Sequence, residues 1–152
     1  MRFGSRRRSV TASIFLLYAL SVAALTVVPR VGQPRWDVPW WIVVHWVPFR
    51  VEAWSFALNV VMFVPLGVLV PLLWPAMDSL RRIFWVSLAA SAGIEAVQLL
   101  FWLTLGSFRT VDVNDLIANT AGGIAGLLLL RAVVPHPRDR ARLAAVTTRS
   151  TP

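Results

Sequence analysis

Arg109, Asp112, Asn114, Asp115 and Asn119 crowd into one stretch, Ser107–Gly126 (SFRTVDVNDLIANTAGGIAG), which runs straight into an apolar segment ending near Val134. Each residue type brings a distinct chemistry. Carboxylates exchange protons as general acids or bases, or ligate a divalent cation. An arginine grips a phosphate or carboxylate with two parallel N–H donors. If the stretch is helical, Asp112, Asp115 and Asn119 stand three and four residues apart and share one face, which Gly122 and Gly126 continue. Polar groups down one stripe of an apolar helix are costly against lipid, so they must face protein or water. That requirement makes the stretch a functional-site candidate.

A second set lies upstream. Glu95 and Gln98 sit inside an apolar run, on a helical face with Leu88, Ser91 and Trp102, and Asn59 sits inside another. An unpaired charge in hydrocarbon costs at least about 2.5 kcal/mol, so Glu95 needs a partner whatever its role. Glu95, Asp112 and Asp115 are the candidate acids or bases. Asn59, Gln98, Arg109 and Asn119 are the candidate ligand-binding groups. His45 has no second histidine or acidic residue at ligand spacing and reads as structural. No spacing is diagnostic of a metal site, no cofactor is implied, and the absence of cysteine excludes thiolate sites, disulfides and thiol catalysis.

The elements that position these residues are membrane helices. The 152 residues are 57% hydrophobic and 14% charged, which does not fit an ordinary soluble domain. All fifteen basic residues are arginines, and they separate apolar runs instead of forming a basic face interleaved with stacking aromatics. Nucleic acid is therefore excluded as a partner. The expected fold is all-α, with four spans at about 10–28, 55–74, 83–105 and 116–134. A basic segment 1–9 precedes them, and a basic tail 135–152 without fixed structure follows. The first apolar run exceeds the ~7–15 residues of a signal peptide core, so it reads as an uncleaved span despite a small-x-small site at Ser21-Val22-Ala23. Pro65 and Pro71 should kink or loosen the second span. Between the first two spans lies a loop with Trp36, Trp40, Trp41 and Trp46 among Pro34, Pro39 and Pro48. It suits either a lid over the site or an anchor at the headgroup level, and the aromatic belts of membrane proteins favour the anchor. Gly122-x-x-x-Gly126 reads as helix packing.

Arginine placement orients the chain. Eleven arginines fall on the side of the two termini, and only Arg30, Arg35, Arg50 and Arg109 fall on the other. The positive-inside rule then puts both termini in the cytoplasm. Asn59, Glu95, Gln98 and Asn119 all lie in the outer parts of their spans, beneath the Trp-rich loop and Ser107–Asp115. Chance placement would scatter them.

With these residues, Asn59-x-x-x-Phe63-x-Pro65-Leu66-Gly67, Glu95-x-x-Gln98 and Arg109-x-x-Asp112-x-x-Asp115-x-x-x-Asn119-x-x-Gly122, the chain resembles the VanZ-like family of bacterial membrane proteins. The resemblance runs from the second span through the fourth. It implies a multi-pass protein of the bacterial plasma membrane and a link to glycopeptide resistance of the teicoplanin type, without implying a mechanism. Three readings follow. The outer polar site binds or shields an anionic membrane lipid or lipid-linked cell-wall intermediate. It is an intramembrane enzyme using Glu95, Asp112 or Asp115. Or the polar residues only fix the bundle, and function lies with a partner protein.

Overall fold

The structure, a computed structural model, describes residues 3–27, 39, 41, 44–49, 52–105 and 111–145. Arg109 and most of the Trp-rich loop lie outside the described residues. Four helices are long and apolar enough to cross a membrane: α1 (Phe3–Val27), α2 (Ala53–Leu73), α3 (Leu80–Leu105) and α4 (Val113–Val133). The fold is that of an all-α polytopic membrane protein. All four helices begin ahead of the spans read from hydropathy, because hydropathy marks where hydrocarbon starts and not where the first backbone turn closes. At α4 the turn closes at Val113, since Asp112 caps it. Pro65 and Pro71 lie inside α2, which nevertheless runs through both as one helix.

Successive helices alternate in direction, and α4 is the central one. Its glycines let α2 approach to backbone contact. A Cβ on Gly122 or Gly126 would fall on the carbonyl oxygens of Val60 or Val64, and one on Gly67 would fall on that of Gly123. The GxxxG reading as packing agrees with this geometry. Phe63, Leu66 and Val70 of α2, Ile83 of α3 and Leu127 of α4 fill the core. α1 packs at the periphery against α2 and α3.

The two ends differ in chemistry. At one, a short parallel ladder joins β1 (Val44–His45) to β2 (Val111–Asp112), pairing Val44 with Val111 and His45 with Asp112. At the other, residues 137–145 of the tail expected to lack structure form a helix, α5 (Pro137–Ala145). Hydropathy missed it because its attachment is ionic. Arg140 donates to Asp78 Oδ2 at 2.7 Å and to the carbonyls of Val134 and Pro135 beyond α4. Arg131, in the last turn of α4, donates through Nε to Asp78 Oδ1 at 3.0 Å.

Burial raises the Asp78 pKa, but hydrogen bonds from Arg140 and Arg131 and their positive charge outweigh it and hold the carboxyl below its ordinary value. A depressed folded pKa contributes stability that is complete above the unfolded value, about 4, and is lost as pH falls through the folded one. Asp78→Asn should therefore lower the melting temperature at pH 7 by about 2–4 °C, the shift that ~1 kcal/mol makes in a chain of this size. The difference from the parent should vanish in melting curves taken well below pH 4.

Candidate functional site

The site is built on the N-terminus of α4. An aspartate at an N-cap accepts from backbone N–H groups that the first helical turn leaves unsatisfied. Asp112 Oδ1 accepts from the N–H of Asn114 at 2.8 Å and from its Nδ2 at 2.7 Å. Asp115 follows in the first turn, where the helix dipole favours negative charge. Because Asp112 is the cap, its side chain curls onto the helix end. Only Asp115 and Asn119 continue as a stripe on the helix itself.

Asn114 is wholly buried and holds the neighbouring loop. Its Oδ1 accepts from the N–H of Phe49 at 2.5 Å, and its Nδ2 donates to the carbonyl of Val47 at 3.2 Å. Phe49 sits at φ 62°, a left-handed conformation that a bulky residue rarely adopts, so the Asn114 bond falls where the backbone needs holding. The loop's side chains point away: Trp46, Val47 and Phe49 are all exposed. The ladder brings His45 beside Asp112, with Nδ1 3.4 Å from Oδ2. If Nδ1 carries the proton in that contact, Nε2 presents its lone pair outward, and the His45 side chain is 52% exposed.

Helix α3 supplies the supporting wall, with Ser87, Ser91, Glu95, Gln98 and Trp102 all buried on one face. Leu88, grouped with this face by spacing, is only half-buried and lies beside it. Glu95 Oε2 accepts from the N–H of Asp112 at 3.1 Å, fastening the strand that enters α4. Asn119 Nδ2 donates to Ser91 Oγ at 2.9 Å, and Ser91 in turn donates to the Asp115 carbonyl at 3.4 Å. Asn59 of α2 donates to Asp115 Oδ1. Gln98 stands apart from this network, giving its amide to the Thr26 carbonyl at 2.7 Å and so tying α1 to α3.

Glu95, Asp112, Asp115, Asn59 and Asn119 thus meet at one end of the bundle. Gln98 is at the same end on different partners, and Arg109 lies outside the described residues. Three contributors had not been assigned as acid–base or ligand-binding candidates. His45 was read as structural for want of an acidic partner at ligand spacing; the structure gives it one in space, Asp112, 67 residues away in the chain and brought beside it through the ladder. Asn114 had a signal, since an Asx residue two past an N-cap aspartate is placed to bond it. Ser91 was visible only as a polar position on the Glu95 face. Among the described residues no group of three or more His, Asp or Glu side chains is placed to hold a metal ion.

No curated protein and no solved structure matches the chain significantly. The family model described as VanZ/LLP1 does match, over residues 15–134, a range that contains all four spans from mid-α1 onward, the ladder and every polar residue of the site. On that match, the chain belongs to the VanZ/LLP1 family and is a VanZ-like membrane protein.

Proposed function

We propose that the polar end of the bundle faces the extracytoplasmic side of a bacterial plasma membrane and binds, or shields, an anionic lipid or lipid-linked cell-wall ligand. Protection against glycopeptides of the teicoplanin type is the physiological setting this suggests. One observation carries the reading. Each of the three carboxylates accepts from a donor of the protein itself, Glu95 from Asp112 N–H, Asp112 from Asn114 and Asp115 from Asn59, whereas His45 stands open at the same end. Carboxylates so engaged frame a site. The imidazole is left to meet a ligand, and Arg109, three residues before Asp112 in the sequence, is the candidate cation beside it. Both suit an anion.

Variants at two positions test this. Arg109→Lys keeps the charge and loses the two-pronged donor, so it should weaken ligand retention while melting temperature and protein level stay at parent values. Glu95→Gln keeps an oxygen to accept from Asp112 N–H, so binding and fold should largely persist. The competing reading is an acid–base enzyme, which the His45–Asp112 pair favours, since a carboxylate on Nδ1 is how an imidazole base is oriented. In that case Glu95→Gln or His45→Gln should cost ~10²–10⁴-fold in turnover at normal protein level.

The orientation has its own test, made simple by the lack of cysteine. In intact cells Ser107→Cys should react with a membrane-impermeant thiol reagent, and Ser79→Cys should not. Labelling at Ser79 with none at Ser107 would reverse the assignment.

A further inference from the structure

Helices α3 and α4 do not close against each other along their outer side. Phe84 and Leu88 of α3 and Leu116, Ile117, Thr120, Ala121 and Ile124 of α4 line an open apolar groove of about 330 Å³. From Leu116 to Ile124 it follows some 12 Å of helix at ~1.5 Å per residue. Both walls are membrane-spanning helices, and α1 packs against α2 and α3 without entering it. The medium that meets this groove is hydrocarbon.

Two features choose the occupant. The groove begins at Leu116, one residue's rise from Asp115, so its upper end lies at the level of the polar end. Thr120 is a wall residue whose buried hydroxyl has no partner among the described residues. In an apolar setting an unpaired hydroxyl is a standing cost that a carbonyl acceptor would relieve after a χ1 rotation. Thr120 lies five residues below Asp115, about 7–8 Å along the axis. A glycerophospholipid carries its ester carbonyls a few ångströms below its phosphate, whereas a polyprenyl phosphate carries no acceptor there. Residues exposed elsewhere on the bundle, such as Leu100, Leu103, Leu128 and Leu129, stand as ridges instead.

We infer that this groove holds an acyl chain of an anionic glycerophospholipid whose headgroup lies at the polar end. The inference rests on the ligand reading of that end for its headgroup, and on the groove alone for its chain.

The test uses the purified full-length protein in phosphatidylcholine vesicles containing phosphatidylglycerol with a diazirine on one acyl chain. Cross-linked peptides are mapped after irradiation. Labelling should concentrate on Leu88, Ile117 and Ile124 over Leu100, Leu103, Leu128 and Leu129. Ala121→Trp, which fills the groove from an exposed wall position, should bring it down to the level of those controls without changing the melting temperature. Thr120→Val should reduce retention while leaving the fold intact. Excess unlabelled phosphatidylglycerol should compete and inorganic phosphate should not. Uniform labelling of all lipid-facing positions, labelling insensitive to Ala121→Trp, or displacement by a polyprenyl phosphate alone would each overturn the proposal. If groove labelling survives His45→Ala combined with Arg109→Lys, the groove assignment stands and the ligand reading of the polar end falls.

Discussion

Gly67→Ala should lower the melting temperature of the detergent-solubilised protein sharply, although it adds a single methyl group. The new Cβ would coincide with the Gly123 carbonyl oxygen and lie 2.8 Å from the Leu127 nitrogen. Both are backbone atoms of α4, so no side chain can swing aside and the two helices must part. Overpacking of this kind costs roughly 1–3 kcal/mol, with the upper end expected where backbone opposes backbone. Gly122→Leu should do the same through Val60, losing stability and ligand retention together. Gly93→Ala is the internal control. It lies on the exposed face of α3 with nothing within 4 Å, so it should be neutral or gain about 0.5–1 kcal/mol from the helix interior. Equal melting temperatures for Gly67→Ala and Gly93→Ala would contradict the close α2–α4 contact. Normal stability with abolished function in Gly122→Leu would place Gly122 in the site.

Asn114→Leu should detach the loop around residues 44–49 from the bundle. The substitution keeps volume but removes the acceptor for Phe49 N–H and the donor to the Val47 carbonyl. It also strips one of the two donors from Asp112 Oδ1. Each buried group left unpaired costs about 1–3 kcal/mol, so a total loss of roughly 2–4 kcal/mol is expected. Asn114→Asp should be worse, because a second carboxylate would face Asp112 where an amide now donates. Hydrogen exchange provides a local readout: the Phe49 amide should exchange much faster in Asn114→Leu, while amides in the middle of α2 and α4 stay protected. Unchanged exchange at Phe49 would mean that Asn114 does not hold the loop.

What the sequence made legible follows from the kind of force involved. The four spans were readable because hydrocarbon imposes length and apolarity on every residue of a crossing helix. Gly122 and Gly126 were readable as packing for the same reason: small residues at a four-residue interval have few other uses in a span. Glu95, Asp112, Asp115, Asn59 and Asn119 stood out as candidates because lipid makes their placement expensive. Their partners did not stand out. His45 and Asp112 meet through a two-residue ladder between segments far apart in the chain, and no local periodicity encodes that register. The Asn114 contacts depend on a single positive φ at Phe49, a residue type that gives no warning of it. Helix α5 was missed because its composition is that of a solvated tail, and one aspartate, Asp78, draws it onto the bundle through Arg140.

On the proposed reading, the polar end, framed by engaged carboxylates, retains an anionic lipid-linked ligand through Arg109 and His45. Native mass spectrometry of the purified protein tests it most directly, comparing the parent with Arg109→Lys and His45→Ala at matched melting temperatures. A specific anionic lipid species should be bound to the parent and depleted in both variants. Clean loss of all lipids from the parent, or equal retention of the same species by all three proteins, would contradict it.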